Sequence, residues 1–403
     1  MGTATKQHTE TPADALVRML QQLQPVEVET VPASSAWGRV LAEPVRADRD
    51  NPPASVSAMD GYAVRLADLN APTLPVCGEV AIGHEPLVLP AGHALRIFTG
   101  GCIPAGCEAV IRREDVRELG SAIELRVSPQ AIRPGDNIRY QGENAKAGQQ
   151  VLAAGRQIDA AVASALAAFG VSPPRVFRRV RVGLLITGDE LLPPERQPQP
   201  WQLRDSNGWT LQSMLSTVPW IELIRCMRAV DALPAISSSL DQLLSRCDAV
   251  FITGGVSMGD HDYVPAAVRD LGCRVVFRKL PIRPGKPLLG AVGPQGQAVL
   301  GLPGNPVSVA VTARRFGVPV LRVLAGFSTA EPPRPVVRLN EEDCDAIKLW
   351  WYRPVCLDSD GTARCVPNMG SGDLAATARS DGFVEIAPGQ SNFDSLPFWP
   401  WSI

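Results

Sequence analysis

Three glycine-rich turns, each directly behind a short apolar run, carry most of the chemistry-bearing side chains: VGLLITGDEL over 182–191, AVFITGGVSMGDHDY over 249–263 and AVLGLPGNPVS over 298–308. In the first, Gly188 lets the chain turn tightly enough to aim backbone amides at a ligand, and Glu190 is placed to hold a metal ion. In the second, Gly254 and Gly255 allow close backbone approach to a phosphate, with the Ser257 hydroxyl and the Asp260 and Asp262 carboxylates beside them. In the third, Pro303, Gly304, Asn305 and Pro306 make a rigid turn. Asn305 or Ser308 then starts a helix whose first amides face an anion.

Further segments add charge. KLPIRPGKP gathers Lys279, Arg283 and Lys286 in a stiff loop, which reads either as a clamp for anionic oxygens or as a solvated surface loop. Asp205 and Ser206 precede the helical run NGWTLQSML, where capping and ligand contact are compatible. SAMDGYAV sets Ser57 and Asp60 before a strand, a pattern that is ordinarily a plain turn. RIFTGG and GDNIRYQGEN supply Thr99, Arg139, Glu143 and Asn144. The four histidines, His8, His84, His93 and His261, lack metal-ligand spacing and read as surface or loop residues.

The elements that must position these groups follow from periodicity. Apolar runs such as RVGLLIT, AVFITGG and AVLGLP alternate with helical patterns, which predicts a parallel α/β sheet over 181–328 with its ligand outside the strands' carboxyl ends. Thr11, Pro12, Ala13, Leu16, Met19 and Leu20 predict an amphipathic N-terminal helix ending near Pro25. Residues 51–144 read as a β-rich domain, residues 1–50 with 145–180 as a discontinuous helical and linker domain, and residues 329–403 as a C-terminal β domain. The fold class is therefore multidomain α/β plus β, with mainly β domains flanking the central sheet.

Composition narrows the function. A chain of 403 residues is too long for one core, and a net charge of −2 lacks the basic excess of nucleic-acid binding. The Ala-rich stretch 160–169 is too short for a membrane span, and the N-terminus lacks the order of a secretory signal, so a cytoplasmic protein with reduced thiols is expected.

Taken together, SAMDGYAV, RIFTG, GDNIR with its following GE, TGDEL, DSN, TGGVSMGD with its DY, PGKP and LPGNPVS stand in the order seen in the molybdopterin molybdenumtransferase family. The sequence resembles that family, bacterial MoeA and the gephyrin E domain included, over nearly its whole length. The resemblance implies an elongated homodimer whose α/β domain holds the pterin, with a β domain of the partner completing the site. It implies insertion of molybdate, as substrate, into adenylated molybdopterin with Mg²⁺ present and AMP released, and it allows contact with the molybdopterin adenylyltransferase. By matched motif, Asp60, Thr99, Glu190, Asp262, Lys279 and Lys286 take catalytic roles, Glu190 and Asp262 also serving the metal. Gly188, Asp205, Ser206, Gly254, Gly255, Ser257, Arg283, Pro303, Gly304, Asn305 and Ser308 then cradle the pterin nucleotide.

Two positions depart from the family pattern. Asn144 stands where GED is common, which removes a negative charge, and Arg283 replaces the first lysine of KPGKP, which keeps charge but alters its shape. The first departure motivates an alternative reading, a catalytically weak pterin-binding paralogue serving as a cofactor carrier or scaffold.

Overall fold

A computed structural model describes residues 10–85, 87–256, 262–331, 333–340 and 347–403. Two compact units emerge: one contains the chain up to Glu43, Ala154–Val162 and Pro173–Ile403, the other Pro44–Ala153 and Ala163–Ser172.

The second unit is built on a six-stranded sheet in the order Ala109–Arg112, Gly61–Val64, Ala94–Ile97, Leu74–Glu79, Ala122–Leu125, Val116–Glu118. Alternate residues of its strands feed two small cores, with Tyr62, Val64 and Ile111 in one and Ala63, Leu95 and Val110 in the other. The glycine of the acidic turn has a packing cause. A Cβ on Gly61 would stand 1.9 Å from the Ile111 carbonyl oxygen, so only glycine lets Gly61–Val64 pair with Ala109–Arg112.

The first unit centres on a six-stranded sheet in the order Ile221–Ala229, Val180–Thr187, Ala249–Thr253, Ala298–Leu302, Leu289–Val292, Arg274–Arg278. Residues alternate between its faces. Val182, Leu184, Phe251 and Leu300 pack with the helices Ser206–Ser216 and Pro306–Thr312, while Leu185, Val250, Ile252 and Val299 pack with Leu233–Leu244 and Val264–Asp270. Burial on both faces explains why these strands read as unbroken apolar runs.

The sheet is mixed rather than wholly parallel. Leu289–Val292 runs antiparallel to both neighbours, a strand that the sequence reading did not separate. It is joined to Ala298–Leu302 by a tight turn in which Gly293 N–H donates to the Gln297 carbonyl at 2.7 Å. The short, glycine-interrupted LGAV gives too little periodic signal to be read alone.

The predicted N-terminal helix forms as Pro12–Leu20, and Thr11 caps it by accepting from Asp14 N–H at 3.1 Å. Its apolar face, Ala15, Leu16 and Met19, joins the main core. The tail's sheet runs Ile282–Arg283, Trp350–Leu357, Gly382–Ile386, Leu396–Pro400, Val336–Val337, so its first strand is borrowed from the KLPIRPGKP loop. Tyr352, Phe383 and Trp399 of the tail share the core of the α/β sheet. Among the described residues no helix is long and apolar enough to cross a membrane, and no two cysteines are joined.

Candidate functional site

Strand order fixes where a ligand sits. Val180–Thr187 lies between Ile221–Ala229, the next strand of this sheet along the chain, and Ala249–Thr253, the one after. The winding reverses between Val180–Thr187 and Ala249–Thr253, and in open α/β sheets the crevice beyond the carboxyl ends at such a point takes the ligand. A cavity of about 650 Å³ opens there, lined by Thr187, Gly188, Glu190, Gly254, Gly255, Asp262, Pro303, Gly304 and Asn305. The three glycine turns read from the sequence thus meet in one place.

Their packing is close. Gly254 holds a φ of 86°, and a Cβ there would lie 2.7 Å from Thr187 Oγ1 and 2.8 Å from the Thr187 carbonyl oxygen. The Thr187 hydroxyl in turn donates to the Thr253 carbonyl at 3.1 Å, which ties the two strand ends together. Asn207 donates through Nδ2 to the Gly304 carbonyl at 2.8 Å and so locks the third turn to the helix Ser206–Ser216. Its Oδ1 is buried with no hydrogen-bond partner, while the residue itself lines the first lobe.

A second lobe of about 620 Å³, which shares Pro287, Pro303, Gly304 and Asn305 with the first, is lined by Arg283, Lys286 and Ser308. Arg283 pairs through its backbone with Trp351 and lays its guanidinium over the indole 5.5 Å from the ring centre, which orients the charge. Lys279 lines neither lobe. It holds a φ of 61°, a conformation that costs a non-glycine residue about 1–2 kcal/mol, while its N–H donates to the Leu288 carbonyl at 2.9 Å. Backbone strain of this kind is concentrated where function requires it.

Asp205 proves to be a buried cap. It accepts from Gly208 N–H at 2.7 Å and from Arg228 at 3.0 Å, and it is absent from the walls of both lobes. Ser206 beside it does line the first lobe. Ser257 lies outside the described residues.

Asp60 and Thr99 belong to the β-rich unit. Thr99 donates its backbone N–H to Asp60 Oδ1 at 2.8 Å and its hydroxyl to the same oxygen at 2.9 Å. These two bonds hold the exposed Asp60 carboxyl below the usual aspartate range, the backbone one most, with Arg113 and Arg96 adding to the effect. Asn144 is fully engaged: its Oδ1 accepts from Arg139 at 2.6 Å and its Nδ2 donates to Asn51 Oδ1 at 2.7 Å. The amide that replaces a carboxylate therefore has a structural use.

Glu190 and Asp262 fit Mg²⁺. Mg²⁺ keeps several waters and binds through one or two carboxylates plus substrate phosphates, and among the described residues no three acidic, His or Cys side chains form an all-protein cage. Two carboxylates on an amide-lined cavity match that habit.

The sequence reading missed the tail's contribution. Gly372 and Leu374 line the first lobe, and Ser371 accepts from Asn305 Nδ2 at 2.9 Å while its carbonyl accepts from Val307 N–H at 3.1 Å. The MGSGD string carried the turn signal, but nothing local tied it to a cavity some 70 residues upstream, where Asn305 stands.

Comparison with known proteins agrees with this geometry. Residues 10–170 match the family model described as MoeA N-terminal region (domain I and II), and residues 183–323 match the one described as probable molybdopterin binding domain. A molybdopterin molybdenumtransferase of Nostoc sp. is 37% identical over 326 residues, covering 78% of this chain and 74% of its own. The chain belongs to the molybdopterin molybdenumtransferase family. A second molybdopterin molybdenumtransferase, from Haemophilus influenzae, is 36% identical over 322 residues, or 78% of each chain. Among solved structures, the molybdopterin biosynthesis moeA protein of Pyrococcus horikoshii superposes with a TM-score of 0.80 at 26% identity, covering 97% of this chain and 98% of that one. Membership places the chain among the transferases of molybdenum cofactor biosynthesis and accounts for the multidomain α/β plus β fold.

Proposed function

We propose that the protein inserts molybdate into the dithiolene of adenylated molybdopterin and releases AMP, the last step of molybdenum cofactor synthesis. The observation that carries this reading is the two-lobed cavity at the strand reversal, with Glu190, Asp262 and Arg204 on one lobe and Arg283 and Lys286 on the other. The substrate is a pyrophosphate-linked nucleotide, and breaking its phosphoanhydride bond leaves added negative charge on the phosphate oxygens. Preorganised amides and cations at such a point stabilise the transition state more than water does.

In this reading the backbone of the Gly188, Gly254 and Gly304 turns receives the pterin phosphate. Lys286 and Arg283 hold molybdate or phosphate oxygens in the second lobe, with the Ser308 hydroxyl beside them. Glu190 and Asp262 would hold Mg²⁺ or its waters, and the ion, when bound, supplies neutralising charge to the phosphates.

The protein acts as a cytoplasmic homodimer in which the β-rich unit of a second copy completes the site and brings an Asp60–Thr99 pair to the substrate. The adenylyltransferase that makes the substrate is the natural contact for delivery. The test is reconstitution: purified protein, adenylated molybdopterin, Mg²⁺ and molybdate should activate an apo-molybdoenzyme, and omission of molybdate should leave it inactive. Equal activation without the protein would refute the reading.

A further inference from the structure

The carboxylate that caps the helix Ser206–Ser216, Asp205, has 1% of its side chain exposed, whereas its counter-ion Arg228, on the edge strand Ile221–Ala229, has 38%. Ion pairs at a surface contribute little, because water takes the place of a lost partner. Water has almost no access to Asp205, so solvent does not stand in for Arg228. Removing one partner of a buried pair leaves an uncompensated charge, a larger penalty than loss of a surface contact.

Several walls of the first lobe hang from Asp205. Its Oδ1 accepts from Gly208 N–H at 2.7 Å and so starts the helix whose Ser206 and Asn207 line the cavity. Asn207 passes the constraint to the third turn through its 2.8 Å bond to the Gly304 carbonyl. The N–H of Asp205 donates to the Leu192 carbonyl at 2.8 Å, and Leu203 N–H donates to the Glu190 carbonyl at 2.8 Å, which holds the turn carrying Glu190. A Cβ on Gly208 would stand 2.5 Å from Asp205 Oδ2, so the carboxylate lies against the helix only because residue 208 is glycine. That same Oδ2 accepts from Arg228 at 3.0 Å. Arg228 stands opposite Ile186 and Ala229 opposite Thr187, so the guanidinium springs from the rigid sheet one residue short of the level at which the lobe begins.

We infer that Arg228 is a positioning residue for the first lobe: through Asp205 it fixes the Glu190 turn and the start of the helix Ser206–Ser216 against the central sheet. Arg228 lines neither lobe, so it acts on the walls and not on the substrate. The inference rests on the reading that the pterin occupies the first lobe. The need for Arg228 comes from the charge of Asp205 and not from the cap as such, because asparagine caps a helix about as well as aspartate. A neutral cap at position 205 therefore makes Arg228 dispensable.

The test compares the full-length natural protein with Arg228→Met, Arg228→Lys, Asp205→Asn and the double variant Arg228→Met/Asp205→Asn, all well below their melting temperatures. Amide hydrogen exchange over residues 203–216 reads the walls, and anaerobic calorimetric titration with molybdopterin reads the lobe. Arg228→Met should exchange faster over 203–216 and bind molybdopterin about tenfold more weakly, the scale of coupling between residues in direct contact. Arg228→Lys, which keeps the charge, should recover most of both. The double variant should bind within about twofold of Asp205→Asn alone, because no buried charge then needs balancing. Faster exchange in Arg228→Met with molybdopterin affinity unchanged would overturn the inference and leave a merely structural pair. An affinity loss that persists undiminished in the Asp205→Asn background would overturn it too, since Arg228 would then act directly. Arg228-dependent molybdopterin binding in a protein that releases no AMP from adenylated molybdopterin would support the inference and sink the transferase reading. A natural protein that binds no molybdopterin would overturn both.

Discussion

Glu190 and the Asp60–Thr99 pair are two kinds of carboxylate with different demands. Glu190 folds back over Gly188, where an added Cβ would meet its Oε2 at 2.9 Å, and it lines the cavity without serving the core. Glu190→Gln should therefore lower turnover by about 10²–10³-fold, the usual loss when one preorganised charge-stabilising group is removed, with the melting temperature unchanged. Wild-type turnover in that variant would remove Glu190 from the mechanism. Asp60 is tuned by its neighbour instead. Because its folded pKa is depressed, the Asp60–Thr99 interaction is fully present above the ordinary aspartate pKa and fades as pH falls through the lowered folded value. Carbon-detected NMR titration should find Asp60 ionised at a pH where free aspartate is protonated. Thr99→Val, which removes the hydroxyl bond and leaves the backbone one, should move the titration part of the way back.

The elements divide the labour between the two ends of the central sheet. At the carboxyl ends, Gly254 has no room for a side chain. Gly254→Ala should cost about 1–3 kcal/mol through the unfavourable φ alone and should weaken pterin binding, because the Thr187–Gly254 contact would have to open. At the amino ends, Asp248 accepts from Arg178 at 2.6 and 2.7 Å and from Arg181 N–H at 2.7 Å, holding neighbouring strands in step. Asp248→Ala should lower unfolding stability by about 2–4 kcal/mol, as expected for several hydrogen bonds to a charged group, while ligand affinity in the folded protein stays the same. Denaturant unfolding read beside calorimetric binding separates the two ends. Legibility followed the same division. The strands and their turns were readable because both-face burial gives apolar runs and glycine is forced wherever backbones touch, as at Gly254. The reversed strand Leu289–Val292 was not, since a four-residue run has no period of its own, and neither was Ser371, whose bond to Asn305 exists only in the tertiary fold.

At the scale of the molecule, the loop KLPIRPGKP links the α/β sheet to the tail, since its Ile282–Arg283 strand pairs with Trp350 and Trp351. Arg283 therefore lines the second lobe and pairs in a strand at once, which fits a planar guanidinium over an indole better than a lysine. Asn144 shows the converse. Its amide satisfies Arg139 and Asn51 together, so Asn144→Asp trades the bond to Asn51 Oδ1 for a charge and should not be needed for turnover. The most direct measurement is AMP release from adenylated molybdopterin by the purified natural protein, with molybdate and Mg²⁺ present or withheld. The account predicts release that depends on molybdate and is matched, within about threefold, by the Asn144→Asp variant, since a single exposed polar change away from strained or buried features is small. Release only by that variant would contradict it and would mark the natural chain as a pterin-binding protein that has lost its chemistry.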